Sequence, residues 1–335
     1  MSIEVVAPKF ADFFHLMPFR IQEILLISSK YDAFILQEDG QLTEQLFNTF
    51  LNLNLKYAPR ITRVSRGERA VEVLATRRVD LVIIMPQLGD VDPMGLCTTI
   101  KETHPALPVV MLAYNSKQTN QLQERSREAG FDRMFVWTGN SRIFLSIIKL
   151  MEDRMNVHHD IARVGLQVII VVEDSPYYYS TFLPILYTII MTQTQRLMRQ
   201  GLNDMHRLLR MRARPKIILA TNYDDAMERF REFEDNVLGV LSDVRYPVAG
   251  IEDPEAGFKL IGAIREKHPN LPIVLMSSEP HNKERAYAAG AQFIDKNSSS
   301  IIHDMKLFIQ SQFGFGDFVF RLPTGKEVGR ATDLK

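Results

Sequence analysis

The sequence predicts an α/β protein in which one architectural unit occurs twice, and two observations carry that expectation. The first is an internal repeat. Ile100-Lys-Glu-Thr-His-Pro-Ala-Leu-Pro-Val-Val-Met-Leu112 aligns with Ile264-Arg-Glu-Lys-His-Pro-Asn-Leu-Pro-Ile-Val-Leu-Met276, with seven of thirteen positions identical. Glu128-Ala129-Gly130 echoes Ala288-Ala289-Gly290, and the run from Asp80 to Pro86 echoes Leu238 to Asp243. The second is alternation: in each copy, short apolar runs are separated by amphipathic segments. Strands that alternate with helices form a parallel sheet covered on both faces, joined by right-handed crossovers.

The first copy carries apolar runs near Glu23–Ser28, Arg60–Val64, Leu81–Met85, Val109–Ala113 and Arg133–Val136. The second carries them near Val168–Val172, Lys216–Ala220, Val237–Ser242, Ile273–Ser277 and Gln292–Ile294. Five strands per copy predict two flavodoxin-like (βα)5 domains of strand order 2-1-3-4-5. The expected division is a lead-in over 1–20, a first domain over 21–155, a polar linker over 156–165, a second domain over 166–313, and a C-terminal segment over 314–335. A helix is expected at about Ser141 to Arg154. His158-His159-Asp160, in the linker, lacks further ligands at metal-binding spacing and reads as solvated.

Composition excludes several function classes. Lys plus Arg number 40 and Asp plus Glu number 40, so no net field steers the chain toward nucleic acid or an anionic membrane. Cys97 is the single cysteine, which excludes an internal disulfide framework and fits a reducing cytosol. Met1 to Arg20, broken by Pro8, Asp12 and Pro18, is not a signal peptide. The most apolar stretch, Phe182 to Met191, is far short of the roughly 20 residues that cross a bilayer. A cytoplasmic protein is the expectation.

The chemistry lies at the strand ends of the second copy. Val168–Val172 runs into Glu173-Asp174, Leu238–Ser242 into Asp243, Ile273–Met276 into Ser277, and the last strand through Phe293 to Lys296. In an open parallel sheet the carboxyl ends of the strands face a common crevice. Three carboxylates gathered there repel one another unless a cation offsets them. Mg2+ is the expected ion, because it takes oxygen ligands and leaves positions for phosphate oxygens. A carboxylate beside such an ion can accept a phosphoryl group, with a lysine and a hydroxyl to neutralise the transferred group.

This set resembles the receiver domain of two-component response regulators over about Gly165 to Phe313. The resemblance implies that Asp243 is the phosphoacceptor, that Asp174 and Asp243 bind Mg2+ directly with Glu173 acting through water, and that the Arg245 backbone carbonyl completes the ligands. It further implies that Ser277 is the switch hydroxyl, Lys296 the phosphate-pairing lysine and Phe293 the switch aromatic. Asn297 stands where the family usually has proline, and Ser277 where threonine is commoner. The first copy has none of these groups: Ser28-Ser29 replaces the acid pair, Met85 the acceptor and Ala113 the hydroxyl, and only Val136-Trp137 lies near the lysine position. It reads as a pseudo-receiver used for packing, dimerisation or partner recognition.

The second copy also contains an extended first crossover, with a helical insertion expected over about 186–214, either one extended first helix or a helical hairpin broken near Gly201. Arg196, Arg199, Arg207, Arg210, Arg212, Arg214 and Lys216 face only Asp204 there. Such a basic helix is expected to contact protein, as a homodimer or against a downstream effector domain, rather than nucleic acid, since no DNA-reading module is present. His206 in that segment reads as a solvated helical residue. Alternating aromatics over Phe313–Phe320 and the Thr324-Gly325 turn predict a hairpin. Met211–Lys216, Phe313–Phe320 and Pro18–Leu26 resemble the N-terminal regulatory region of bacterial phosphoenolpyruvate-synthase-like proteins, which implies a missing downstream domain.

The expected function is phosphorelay signalling, with a histidine kinase or small phosphodonor as partner. No enzymatic activity is expected beyond the receiver's own phosphorylation and dephosphorylation. The alternatives are a regulatory fragment of a phosphotransferase and a silent dimerisation module.

Overall fold

The computed structural model describes residues 15–38, 41–53, 55, 57–114, 119–198, 214–313, 318–321 and 327–331. The chain forms two compact units. The N-terminal unit comprises Phe19–Glu152 and Ser175–Tyr187; the C-terminal unit comprises Asp153–Asp174 and Thr188–Lys335, with Met1–Pro18.

In the N-terminal unit, β1 (Glu23–Ile27) leads through α1 (Lys30–Glu38) and α2 (Leu42–Asn52) to β2 (Arg60–Val64). Then follow α3 (Gly67–Thr76), β3 (Leu81–Ile84), α4 (Pro93–Thr103), β4 (Val109–Tyr114), α5 (Thr119–Glu128) and β5 (Arg133–Trp137). The strands pair in parallel in the order β2-β1-β3-β4-β5. The inner strands are apolar along their length because helices cover both faces, and every residue of β3 is buried. Two short helices, rather than one, bridge β1 and β2. α4 starts where the Asp92 carboxylate accepts the Gly95 N–H at 3.0 Å and Pro93 opens the helix.

β5 is an edge strand, and its outward groups find partners on Ser175–Tyr187. The Val136 N–H donates to Ser180 Oγ at 2.9 Å, the Tyr179 hydroxyl donates to the Met134 carbonyl, and the Tyr179 ring stands edge-on to Phe135. An edge strand with satisfied backbone groups is no longer a template for another chain.

The C-terminal unit repeats the topology. β6 (Val168–Val172), β7 (Lys216–Ala220), β8 (Val237–Asp243), β11 (Ile273–Ser277) and β12 (Gln292–Asp295) form a parallel sheet ordered β12-β11-β8-β6-β7. Read from its other edge, this is 2-1-3-4-5 in the unit's own strand sequence. Helices Tyr223–Glu232, Ala256–Arg265, Asn282–Ala288 and Ile301–Gln312 intervene or follow. One addition escapes the periodicity argument: β9 (Tyr246–Val248) and β10 (Ile251–Asp253) form an antiparallel hairpin directly after Asp243. Its turn places Ala249 at φ 49° and Gly250 at φ 82°, the left-handed pair that a tight hairpin requires. Strands three residues long are too short to show a period of two.

The expected linker over 156–165 is a correction. Helix α6 runs from Arg142 to Val164, beyond the expected end at Arg154 and through nearly all of that stretch. Its polar residues Asp153, Asn156 and Asp160 are fully buried with Val157, at the i, i+3, i+4, i+7 spacing of one helical face. Asp153 receives both Arg214 guanidinium nitrogens at 2.9 and 2.6 Å and the Ile217 N–H at 3.0 Å, while Asp160 pairs with Lys216 Nζ at 2.9 Å and accepts the Met17 N–H. Polarity in this segment therefore marks a buried ionic seam, not solvent. His159 turns to Asp160 at 3.0 Å and His158 to Glu232 at 3.4 Å.

The start of the insertion expected over about 186–214 lies within a longer helix. Helix α7 spans Pro176–Met198, with Pro184 inside it. The rest of the insertion, including Gly201, His206 and Arg199 to Arg212, lies outside the described residues, as do residues 1–14. β13 (Phe318–Arg321) and β14 (Glu327–Ala331) pair as an antiparallel hairpin, its turn over 322–326 also outside them. Among the described residues no helix is long and apolar enough to cross a membrane.

Candidate phosphoacceptor site

Four parallel strands of the C-terminal unit end at the same edge, and their register decides which side chains meet. Val172 lies opposite Ser242, Met276 opposite Asp243, and Ser277 opposite Asp295. The residues that follow or end these strands, Glu173-Asp174, Asp243, Ser277 and Lys296, are therefore neighbours.

Lys296 is the hub. Its Nζ lies 2.7 Å from Glu173 Oε2 and 2.7 Å from Asp243 Oδ2, with the lysine and glutamate side chains almost fully enclosed. The second Asp243 oxygen, Oδ1, accepts the Val244 N–H at 2.7 Å. Carboxylate oxygens of Glu173, Asp174 and Asp243 all lie within 4.8 Å of one another. One ammonium thus faces three acids. Burial raises the Glu173 carboxyl to about 8, with the Asp243 charge adding to the effect and the Lys296 charge opposing it. Burial, then Asp243, raises Asp174 to about 6. Burial alone would lower the Lys296 ammonium, but Glu173 and Asp243 outweigh it and hold it above its ordinary value.

Ser277 is buried at the end of β11, where its Oγ accepts the Glu279 N–H at 3.1 Å and the Asn282 Nδ2 amide at 3.1 Å. Arg245 is exposed, its guanidinium 3.4 Å from Glu279 and 3.7 Å from Glu252. Phe293 is half-buried and packs on the core cluster that includes Leu275 and Val244. Glu173, Asp174, Asp243 and Lys296 thus converge in one group, with Ser277 on the adjoining strand end; Arg245 and Phe293 border it.

Three features were not read from the sequence. Gly257 opens helix Ala256–Arg265 against the site: its N–H donates to the Val244 carbonyl at 2.9 Å, and a methyl there would overlap the Asp243 carbonyl oxygen. Ser242 Oγ donates to the Asp243 carbonyl at 2.7 Å and lies 3.1 Å from the buried Tyr246 hydroxyl. Asn282 is 2% exposed and touches Ser277. A glycine opening an otherwise apolar helix was the readable signal for the first; the other two carry none.

The donor set suits a small, oxygen-ligated divalent ion: three carboxylates meet at one sheet edge, and two of them are held above their ordinary range by burial and by the neighbouring Asp243 charge. It lacks the nitrogen and sulfur ligands that would select zinc.

The response regulator receiver domain family model matches residues 34–136, within the N-terminal unit. That segment is similar to receiver domains, and the parallel sheet it belongs to has the 2-1-3-4-5 order. Similar solved structures include the signal receiver domain of an HD-domain-containing protein from Pseudomonas fluorescens Pf-5, 22% identical over 42% of this chain and 93% of that one, TM-score 0.33. A two-component response regulator from Clostridium difficile is 22% identical over 40% of this chain and 98% of its own, TM-score 0.32. A putative response regulator from Chloroflexus aurantiacus J-10-fl is 15% identical over 40% and 98%, TM-score 0.32. No curated protein matches the chain.

Proposed function

We propose that the C-terminal unit is a second receiver domain, phosphorylated on Asp243, and that the N-terminal unit is a receiver that cannot be phosphorylated and serves packing or partner binding. The observation that carries this reading is Lys296 Nζ at 2.7 Å from both Glu173 and Asp243, with Asp174 in the same carboxylate group. A buried lysine shared by acids from two strand ends costs desolvation that packing alone does not require.

In the proposed reaction an Asp243 oxygen attacks the phosphorus of a phosphohistidine on a histidine kinase, or of a small acyl phosphate. A carboxylate O–P bond forms as the donor's P–N or P–O bond breaks, and the leaving group departs with the bonding pair. Asp174 and Asp243, with the Arg245 carbonyl and with Glu173 through water, would hold Mg2+, which when bound supplies positive charge to the phosphoryl oxygens. Lys296 then exchanges its contact with Asp243 for a phosphoryl oxygen, and Ser277 donates a hydrogen bond to another. The added charge of about −1.5 to −2 shifts Ser277 and Phe293 and changes a surface read by an effector or a second copy of the chain.

The test is acetyl phosphate with Mg2+ on the full chain, followed by intact mass. The expected result is one phosphoryl group on the wild type and none on Asp243→Asn. A wild type that remains unmodified, and that binds no beryllofluoride in the presence of Mg2+, would overturn the reading.

A further inference from the structure

The orientation of one buried amide determines what the Ser277 hydroxyl can do. A serine hydroxyl has two acceptor positions and one proton. Both acceptor positions are occupied, by the Glu279 N–H at 3.1 Å and by Asn282 Nδ2 at 3.1 Å. The only function left to Ser277 is donation. Were the Asn282 amide reversed, its oxygen would face Ser277 and take that proton instead.

Two charged neighbours prevent the reversal. Asn282 Oδ1 accepts from Arg285 Nη1 at 3.3 Å, and a guanidinium can only donate. Asn282 Nδ2 also lies 3.4 Å from Glu279 Oε2, and a carboxylate can only accept. The Asn282 N–H fixes the backbone by donating to the Glu279 carbonyl at 3.1 Å. Arg285 is itself held, ion-paired with Glu255 and 4.2 Å over the Phe258 ring. An acceptor-only group and a donor-only group thus impose one amide orientation, and that orientation reserves the serine proton.

We propose that Asn282 is a positioning residue that keeps the Ser277 hydroxyl as an obligate hydrogen-bond donor toward the phosphoryl group on Asp243, with Arg285 and Glu279 setting its polarity. This rests on the phosphoacceptor reading above, which it deepens by assigning the group that prepares Ser277.

The experiment measures Mg2+ affinity and, separately, beryllofluoride affinity in Mg2+ for the full chain. Asn282→Asp keeps the shape but replaces the donor with an acceptor, which captures the serine proton. The expected outcome is Mg2+ affinity within twofold of wild type, beryllofluoride affinity about tenfold weaker, and no further loss when Ser277→Ala is added, since the two changes remove the same bond. Beryllofluoride binding equal to wild type, or losses that multiply in the double variant, would overturn the proposal while leaving Asp243 as acceptor. A wild type that binds Mg2+ but no beryllofluoride overturns both readings together. If Asn282→Asp does not fold, Arg285→Leu, at a side chain 44% exposed, replaces it: about threefold weaker beryllofluoride binding is expected at unchanged Mg2+ affinity, and no change overturns the proposal.

Discussion

The two sheets of this chain share a strand order, and their registers allow a position-by-position comparison. Ile84 lies opposite Met111 as Ser242 lies opposite Leu275, so Met85 occupies the place of Asp243. By the same alignment Ser28 and Ser29 stand for Glu173 and Asp174, Ala113 for Ser277 and Trp137 for Lys296. In the N-terminal unit these positions form a dry end to the sheet: Met85 and Ala113 are fully buried, Ser28 nearly so, and Trp137 packs edge-on against Phe144. In the C-terminal unit the same places hold three acids and a lysine. The fold needs none of the charges. Where they occur they burden it, since burial lifts the two acids that precede α7 above their ordinary range. Groups retained at a cost to folding are better explained by chemistry.

The largest expected effect separates the two units outright. Asp243→Asn abolishes acyl-phosphate formation, read by intact mass. Met85→Asp in the N-terminal unit does not create it, because Ser28-Ser29, Ala113 and Trp137 stand there in place of the acid pair, Ser277 and Lys296. The latter instead buries an uncompensated carboxylate and lowers stability by about 3 kcal/mol in urea unfolding. Phosphorylation of Met85→Asp at its new carboxylate would break the comparison.

Next in size is Lys296→Met. It puts at the hub an apolar residue, as Trp137 is in the other sheet, but leaves Glu173 and Asp243 behind. Removing one partner of a buried ion pair costs about 3 kcal/mol. Removing the acids as well, in Glu173→Gln/Asp243→Asn/Lys296→Met, should restore most of it. A triple variant no more stable than Lys296→Met would show that the cost is packing, not charge.

Much of this contrast was legible in the sequence, for reasons that differ among elements. The sheet order followed from the apolar runs, since a strand buried on both faces has nowhere to place polar residues. The gathering of Glu173, Asp174, Asp243, Ser277 and Lys296 at one sheet edge was legible because each stands at or just past the end of such a run. The ionic seam of Asp153, Asp160, Arg214 and Lys216 was not, because a charge that is fully buried by pairing with another looks in sequence like one that is solvated. The hairpin Tyr246–Asp253 was too short to show a period. Asn282 was hidden because its role depends on which amide atom faces which neighbour, a matter of tertiary geometry alone.

A smaller effect is expected at Gly257, where the N-terminal unit has Pro93 by the offset of the repeat. A side chain at Gly257 meets the Asp243 carbonyl and the Val244 backbone. Gly257→Ala must push the Asp243–Val244 peptide away from the helix, at about 1–3 kcal/mol. Because the displaced backbone carries Asp243, phosphorylation by acetyl phosphate should slow at least severalfold. Gly262→Ala, in the same helix with nothing within 4 Å of an added methyl, is the control and should be neutral or slightly stabilising. Equal rates in both variants would separate the helix from the site.

The smallest effect tests whether the acids burden the fold in the absence of metal. Asp174 is raised from 3.8 to about 6 in the folded chain, so between those values the unfolded chain releases its proton first. The folded state then binds more protons than the unfolded one, and stability falls as pH rises through that window, reaching its full loss above about pH 6. Asp174→Asn removes the ionisation. At pH 7 without Mg2+ the variant should be more stable than wild type by about 1 kcal/mol, a figure reduced from the full shift because the carboxylate is partly exposed. At pH 4 the difference should vanish. Mg2+ in large excess should stabilise the wild type by about 2–3 kcal/mol through binding and the variant by much less, reversing their order. Urea titrations at pH 4 and pH 7, with and without Mg2+, give all four values. A wild type more stable than Asp174→Asn at pH 7 without metal would mean that the acid pair supports the fold, and the contrast with Ser28-Ser29 would lose its functional meaning.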